Sequence, residues 1–307
     1  MPLLLPPLSR RRLLVASAAL AGATVPGCRA ETRRHLERAA APTPTRLLLL
    51  SDPHAAADAA ATSRGGAVIA ERVAATVAAA AAEHDRRPFE LAVVDGDCAL
   101  DTGEPGDYER LASLLAPLRE RGLPVWLTLG NHDHRDRMEA AFADPRPQTG
   151  PAGRRVARVE TDNAVLLLLD SLIETDRTPG ELGPAQLAWL EAELAATPAG
   201  RPALVFLHHP PLPPEPGVEP WGLLDDAELA EVLRHRPAAT ALVHGHTHAW
   251  SRRLFAGVPL IGLPSMAYPF DAIEAVGFVA AEAGAGGVAF TLHAPGHAAD
   301  GASERIG

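Results

Sequence analysis

Six short apolar runs, each closed by polar residues, punctuate the chain from Arg46 to Val243. They are Arg46–Leu50, Leu91–Val94, Val125–Leu129, Val165–Leu169, Ala203–Leu207 and Thr240–Val243. Runs this short with abrupt polar ends fit strands buried on both faces better than helix fragments. The longer segments Ala67–Glu83, Tyr108–Arg121, Pro184–Ala196 and Asp225–Arg234 lie between them and are predicted to be helices. The third follows Gly183, and Pro184 suits a first helical turn. Trp250–His293 reads as strand-rich with glycine turns. This alternation predicts an α/β sandwich in one domain, helices outside. The Ala-rich stretches at 55–61 and 74–82 read as helix-favouring composition. Pro210–Pro220 reads as a rigid loop.

Composition removes several function classes. The formal net charge is −10, and every basic residue is Arg. Without Lys there is no Schiff-base or pyridoxal-phosphate chemistry and no P-loop. Net negative charge argues against a nucleic-acid scaffold held by phosphate contacts. Two Cys exclude a disulfide framework and a thiolate-only metal site. The 13 His, in contrast, are clustered, with eight in four short segments.

Residues 1–28 read as an export signal preceding the domain. Arg10-Arg11-Arg12 leads an uncharged stretch ending at Pro26, too short to span a bilayer comfortably. The paired arginines resemble a twin-arginine signal, which exports proteins already folded. Val25-Pro26-Gly27-Cys28 resembles a lipoprotein acceptor site, with Pro26 as a departure, and Ala21-Gly22-Ala23 offers cleavage to a soluble product. Lipid anchoring at Cys28 and soluble release both stay open. Residues 29–45 read as a linker, 46–296 as the domain and 297–307 as a tail.

Five polar clusters sit just beyond five of the apolar runs. Asp52 and His54, two apart, would face one side of an extended chain and could grip a cation. In Asp95-Gly96-Asp97, Gly96 permits a tight turn and Asp97 could offer both oxygens to two cations. Asn131 is one of two Asn in the chain, and its carbonyl oxygen is a neutral metal ligand. His132 could donate a proton to a departing oxygen, with Asp133 orienting its ring. His134 is expected exposed at the start of a helix. Either His208 or His209 could ligate while the other faces substrate or solvent. His246 and His248 repeat the two-apart spacing. Asp95 is read as outside the ligand set or paired with an Arg, and Cys98 as a packed free thiol. Ligand sites in open α/β sheets lie at the carboxyl ends of strands, where all five clusters fall.

The order Asp-x-His, Gly-Asp, Gly-Asn-His-Asp, His-x-Pro, Gly-His-x-His resembles the calcineurin-like metallophosphoesterase superfamily, across Asp52–His248. The segment Gly183–Leu194, with Gln186, Trp189 and Leu190, resembles a helix these enzymes carry. Within the superfamily the chain is most similar to the bacterial branch of cyclic-nucleotide and glycerophosphodiester phosphodiesterases. The resemblance implies a four-layer α/β/β/α sandwich with mixed sheets. It implies two divalent metal ions. Asp52, His54, Asp97 and His248 would hold one; Asp97, Asn131, His208 and His246 the other. Asp97 would bridge, and His208 rather than His209 would ligate because it stands two residues before the Pro. It further implies hydrolysis of phosphate esters by a metal-bridging hydroxide, with His132 as general acid or transition-state donor. Leu100 stands where purple acid phosphatases have a Tyr, which points to Mn, Fe(II) or Zn.

The walls of such a site are expected in Asp101–Tyr108, Pro145–Gly153 and Pro210–Trp221, with Trp221, Tyr268 or Phe270 as stacking surfaces. The expected partner is a small phosphate ester, and the oligomeric state is open. The rivals are a secreted phosphomonoesterase, a pyrophosphate hydrolase, and a non-enzymatic metal-binding surface protein. The location expected is beyond the cytoplasmic membrane: periplasmic, extracellular or lipid-anchored.

Overall fold

The computed structural model describes residues 43–142, 150–212, 217–234 and 240–307. The export signal, Cys28 and nearly all of the linker lie outside the described residues. Pro42–Gly307 forms one compact unit.

All six apolar runs are strands. In the first sheet β1 (Thr45–Ser51), β2 (Leu91–Asp95) and β3 (Val125–Leu127) are parallel neighbours. In the second, β5 (Val165–Leu168), β6 (Ala203–Phe206) and β7 (Thr240–His244) are parallel. Parallel pairs need crossovers, which the helices supply. These are α1 (Ile69–Arg86), α2 (Pro105–Leu114), α3 (Ala116–Arg119), α4 (Arg135–Ala141), α5 (Pro184–Ala196) and α6 (Asp226–Leu233). The remaining strands are β4 (Ala157–Glu160), β8 (Ser251–Phe255), β9 (Val258–Gly262), β10 (Phe278–Gly284), β11 (Gly287–His293) and β12 (Ser303–Ile306). The sheet orders are β12-β11-β10-β1-β2-β3 and β4-β5-β6-β7-β9-β8. Both are mixed, since β10, β11, β12, β4 and β8 pair antiparallel.

Three cores explain why the strands are continuously apolar. Alternate strand residues point to opposite faces. Leu48 and Leu50 of β1 pack with Val73 and Val77 of α1. Leu47 and Leu49 pack between the sheets with Phe206, Val243 and Phe290. Val205 and Leu242 on the far face of the second sheet meet Leu190 of α5 and Leu229 of α6. Both faces of each central strand are therefore buried, and no polar alternation survives.

Several expectations are revised. Tyr108–Arg121 is not one helix. The run starts earlier, at Pro105, where Glu104 and Asp107 form a capping box. It then breaks at Leu115, where Pro117 restarts it as α3. The Ala-rich stretch 55–61 is not helical. Its backbone is tied to the β2 loop instead: Ala55 N–H donates to Cys98 O at 3.0 Å, and Leu100 N–H to Ala55 O at 2.9 Å. The 297–307 segment read as a tail contains β12, which extends the first sheet through Ser303↔Thr291 to Ile306↔Val288. Thr45, placed in the linker, begins β1.

A buried ion pair joins sheet to helix. Arg46 Nη2 lies 2.7 Å from Glu83 Oε1, and both side chains are 9% exposed. Burial opposes the Glu83 charge, but hydrogen bonds from Arg86 and Arg46 hold its pKa below the ordinary 4.5. The stability this carboxylate adds is present above about 4.5 and is lost as pH falls through its folded value. Urea unfolding from pH 7 to 3 should show Glu83→Gln less stable at pH 7 by roughly 1–3 kcal/mol. That gap should close toward the acid end.

Candidate metal centre

The polar clusters converge at the carboxyl edge of the parallel strands, where the two sheets meet. The first sheet delivers Asp52 and His54 after β1, Asp97 after β2, and Asn131 and His132 after β3. The second delivers His208 after β6 and His246 and His248 after β7. Three overlapping groups of these side chains could hold a metal ion: Asp52, His54, His248; His54, Asp97, His132; and Asp97, His208, His246. Asp97 and His54 each belong to two groups, and Asp97 is the carboxylate that two groups share.

Distances within the cluster are short. His54 Nε2 and His248 Nε2 are 3.0 Å apart. His248 Nε2 lies 3.3 Å from Asp52 Oδ1, and His208 Nε2 lies 3.2 Å from Asp97 Oδ2. His54 Nε2 is 3.8 Å from Asp97 Oδ2. The far ring nitrogens of His208 and His248 are tied to the backbone. His208 Nδ1–H donates to Asp95 O at 2.9 Å, and His248 Nδ1–H to Tyr268 O at 2.6 Å. Such bonds fix the tautomer and turn the Nε2 lone pair toward the centre. The Asn131 Oδ1 and His208 Nε2 atoms are buried without a hydrogen-bond partner. A buried orphan acceptor is costly unless a cation or water meets it. The donor set of imidazoles, carboxylates and one amide oxygen fits a divalent transition metal.

Electrostatics point the same way. Asp52 and Asp97 are buried, and no Arg pairs with either among the described residues. Burial raises the Asp52 pKa, and His248 and His208 outweigh it, to about 2. Asp97 is likewise held well below 3.8 against its burial, by His208 and His54. Burial lowers His208, yet Asp97 and Asp52 lift it to about 10. Burial leaves His54 at about 4 and His246 at about 3, so both imidazoles are neutral, as ligands must be.

The backbone is strained at the same residues. Asp52, His54, Asp97, His246 and His248 all have positive φ, between 44° and 64°. The pleat of an extended strand therefore does not align Asp52 with His54, or His246 with His248, as the two-apart spacing suggested. Left-handed turns beyond the strand ends aim them instead. Gly96 has φ 72° and lies against the His208 ring. At Gly130 a Cβ would collide with the Asp97 carboxylate, and at Gly245 with Ser51 and Asp52.

Similarity to known proteins agrees with this geometry. The family model described as Calcineurin-like phosphoesterase matches residues 45–250. The chain belongs to that family. A cAMP/cGMP dual specificity phosphodiesterase of Mycobacterium tuberculosis is 32% identical over 64% of this chain and 61% of its own length. The 3',5'-cyclic adenosine monophosphate phosphodiesterase of Escherichia coli is 34% identical over 59% of this chain and 62% of its own length. The chain thus spans about three fifths of the length of these curated relatives. A dimetal phosphatase from Danio rerio superposes with TM-score 0.61 at 17% identity, over 82% of this chain and 96% of that one, and shares the fold.

In this calcineurin-like phosphoesterase several residues play parts other than those expected. Asp133 does not orient His132. Its buried carboxylate accepts from the N–H groups of Gly130 (2.9 Å), Cys98 (3.1 Å) and Ala99 (3.1 Å), clamping the loops that carry Asn131 and Asp97. His132 is held by the Asp101 carbonyl, to which its Nδ1–H donates at 2.8 Å. His209 faces neither substrate nor solvent. It is fully buried, with Nδ1 2.8 Å from Ser171 Oγ. Among the described residues Asp95 pairs with no Arg; its Oδ1 accepts from Thr128 Oγ at 2.7 Å. His134 is half-buried, its N–H donating to the Tyr108 hydroxyl at 2.7 Å. Cys98 is a buried free thiol, as expected.

The cluster floors a cleft of about 870 Å3. Asp101, Trp221, Tyr268 and Phe270 line it, as anticipated, but so do Thr62, Ser63, Arg64 and Thr178. These lie in irregular segments with no periodicity or motif to mark them. Of the expected wall Pro145–Gly153, residues 143–149 lie outside the described residues, and Gly150–Gly153 do not line the cleft. Gly130→Ala should displace the Asp97 carboxylate. Elemental analysis of the purified protein should then find less bound metal than in the parent, with helix content by circular dichroism retained.

Proposed function

We propose that this protein is a binuclear metal-dependent phosphodiesterase acting on small phosphate esters, with cyclic nucleotides as the first class to test. The observation that carries the reading is Asp97, shared between two ligand groups on the floor of an open cleft. Asp52, His54, Asp97 and His248 would hold one cation, and Asp97, Asn131, His208 and His246 the other. Bound there, divalent cations supply positive charge to phosphoryl oxygens and make water acidic enough to ionise near neutral pH; Mn, Fe(II) and Zn all suit the donors.

The chain's own residues supply the rest. His132 is half-buried and faces the cluster, with a ring nitrogen within 4.8 Å of the His54 and Asp97 donors. With Nδ1–H held by the Asp101 carbonyl, the protonated ring keeps Nε2–H for the leaving oxygen. Asp133 keeps the two loops in register, and His132 N–H also donates to Asp97 Oδ1 at 3.0 Å. The aromatic walls suit an ester with a large organic group. Phe270 stacks on His248 with centroids 4.0 Å apart, yet it is 69% exposed. Trp221 stacks on His246 at 5.8 Å. The names of the two relatives, which act on cyclic nucleotides, support this preference. Export through the signal in residues 1–28, with Cys28 as a possible acceptor of lipid, belongs to the same proposal, and cell fractionation tests it.

Hydrolysis of a chromogenic phosphodiester should exceed that of the matching monoester in Mn-loaded protein. Chelator should abolish it, and Asp97→Asn should lower it by more than about 100-fold, beyond what loss of an outer-shell partner costs. Faster monoester turnover would move the reading to a phosphomonoesterase. Two metals bound per chain with no turnover of either would leave a pyrophosphate hydrolase or a non-enzymatic relative. His132→Ala should cut kcat roughly 100-fold or more, most with the poorest leaving group.

A further inference from the structure

Among the described residues, Arg64 is the only Arg that lines the cleft. It sits on a closed turn between β1 and α1. Thr62 and Val68 are bridged, Ser63 N–H donates to Ala67 O at 2.9 Å, and Gly66 N–H donates to Ser63 O at 2.9 Å. Ile69 N–H donates to Ala61 O at 3.0 Å and joins the turn to the start of α1. The turn has its own hydrogen bonds and does not need the guanidinium to hold it.

Arg64 is exposed and has no ion pair or hydrogen bond among the described residues. The carboxylates that share the cleft with it are Asp97, inside the metal-ligand cluster, and Asp101. Neither lies within ion-pair distance of Arg64, whereas many other Arg of the chain are engaged, among them Arg46, Arg121, Arg135 and Arg158. Arg64 lines the same cleft as His54 and Tyr268. The Tyr268 ring packs 5.1 Å from that of His54, so the cleft that Arg64 lines reaches the cluster at these two side chains.

The charge has a use. The protein carries a net −10, which repels an anionic ester at long range. An unpaired guanidinium in the wall of the cleft offsets part of that repulsion locally, and its planar fork matches phosphoryl oxygens. We propose that Arg64 is a substrate-binding residue that captures the anionic phosphoryl group of the incoming ester and holds it beside the carboxylate–imidazole cluster. The inference rests on the phosphoesterase reading and adds to it a residue outside every motif.

The test uses Arg64→Gln in the full chain, with Arg72→Gln, an exposed residue of α1, as a control that removes the same charge elsewhere. Two measurements are made on metal-loaded protein: steady-state kinetics with the chromogenic diester at several salt concentrations, and calorimetric titration with inorganic phosphate. Arg64→Gln should raise KM about tenfold, as loss of one charge-assisted hydrogen bond would. Its kcat should stay within about twofold, marking an interaction made equally in ground and transition states. The fall of kcat/KM with salt should flatten, and phosphate should bind about tenfold more weakly. Arg72→Gln should match the parent in all of these. Parent-like KM, salt dependence and phosphate affinity in Arg64→Gln would overturn the proposal. Weaker phosphate binding by Arg64→Gln in a protein that hydrolyses no ester would keep Arg64 as an anion site and remove the phosphodiesterase reading instead.

Discussion

Two buried carboxylates, Asp52 and Asp97, stand within reach of the same imidazoles, and no guanidinium meets either among the described residues. Burying an unpaired carboxylate costs several kcal/mol. Elsewhere the chain meets that cost with Arg, as where Arg135 forks onto the buried Asp170 through bonds of 2.7 and 2.9 Å. At the centre it has only imidazoles, and His208 gains a proton affinity near pKa 10 from the very carboxylates it faces. A protonated His208 is a poor substitute for a cation, because Asn131 Oδ1 still points into the same volume without a donor. Divalent cations bound there would resolve all of these at once, balancing the carboxylates, freeing the imidazole lone pairs and meeting the amide oxygen.

The surrounding structure follows from gathering so many donors in one place. Side chains from two sheets reach one point only if the backbone turns sharply as each strand ends. Left-handed conformations at non-glycine residues cost of order 1–3 kcal/mol each and persist only where the surroundings over-determine them. Here the surroundings do so with paired hydrogen bonds. His54 N–H donates to Asp97 O at 3.0 Å, and His246 N–H to the Asp52 carboxylate at 3.2 Å. Asp133 takes three backbone N–H groups and draws the β2 and β3 loops together. The glycines of the motifs have a steric meaning as well, for at Gly130 and Gly245 the space of a Cβ is filled by the ligand carboxylates.

How far this was legible in the sequence depends on what left a local trace. The central strands did, because burial on both faces demands unbroken apolar runs such as Leu47–Leu50 and Val165–Leu168. The candidate ligands did too, because His, Asp and Asn stand out immediately after such a run. Edge strands such as β4 and β12 did not, being short and half-exposed, with mixed composition. The role of Asp133 was misjudged because adjacency to His132 suggested contact, whereas the turn sends the two side chains in different directions. The same limit hid Arg64: nothing in Thr62–Val68 repeats or alternates, and only the fold brings that turn over the cluster.

The division between sheets has a consequence for how chemistry and stability are linked. Asp52, His54, Asp97, Asn131 and His132 come from one sheet and His208, His246 and His248 from the other, so the centre is the polar continuation of the inter-sheet core. The His208 ring reaches across the seam to the Asp95 carbonyl at 2.9 Å, and Ser51 Oγ donates to that same oxygen at 2.8 Å. A cation bound by both sets of ligands would therefore hold the sheets together as well as act on substrate, and binding that favours only the folded state adds directly to stability. The loops above the seam differ in how far they share that duty. Thr62–Val68 is closed by its own hydrogen bonds, whereas Tyr268 holds His248 through its carbonyl and Phe270 and Trp221 stack on His248 and His246. Under the proposed function, selection for a new ester would act most freely on the turn that carries Arg64, while the strand ends keep the candidate ligands in place.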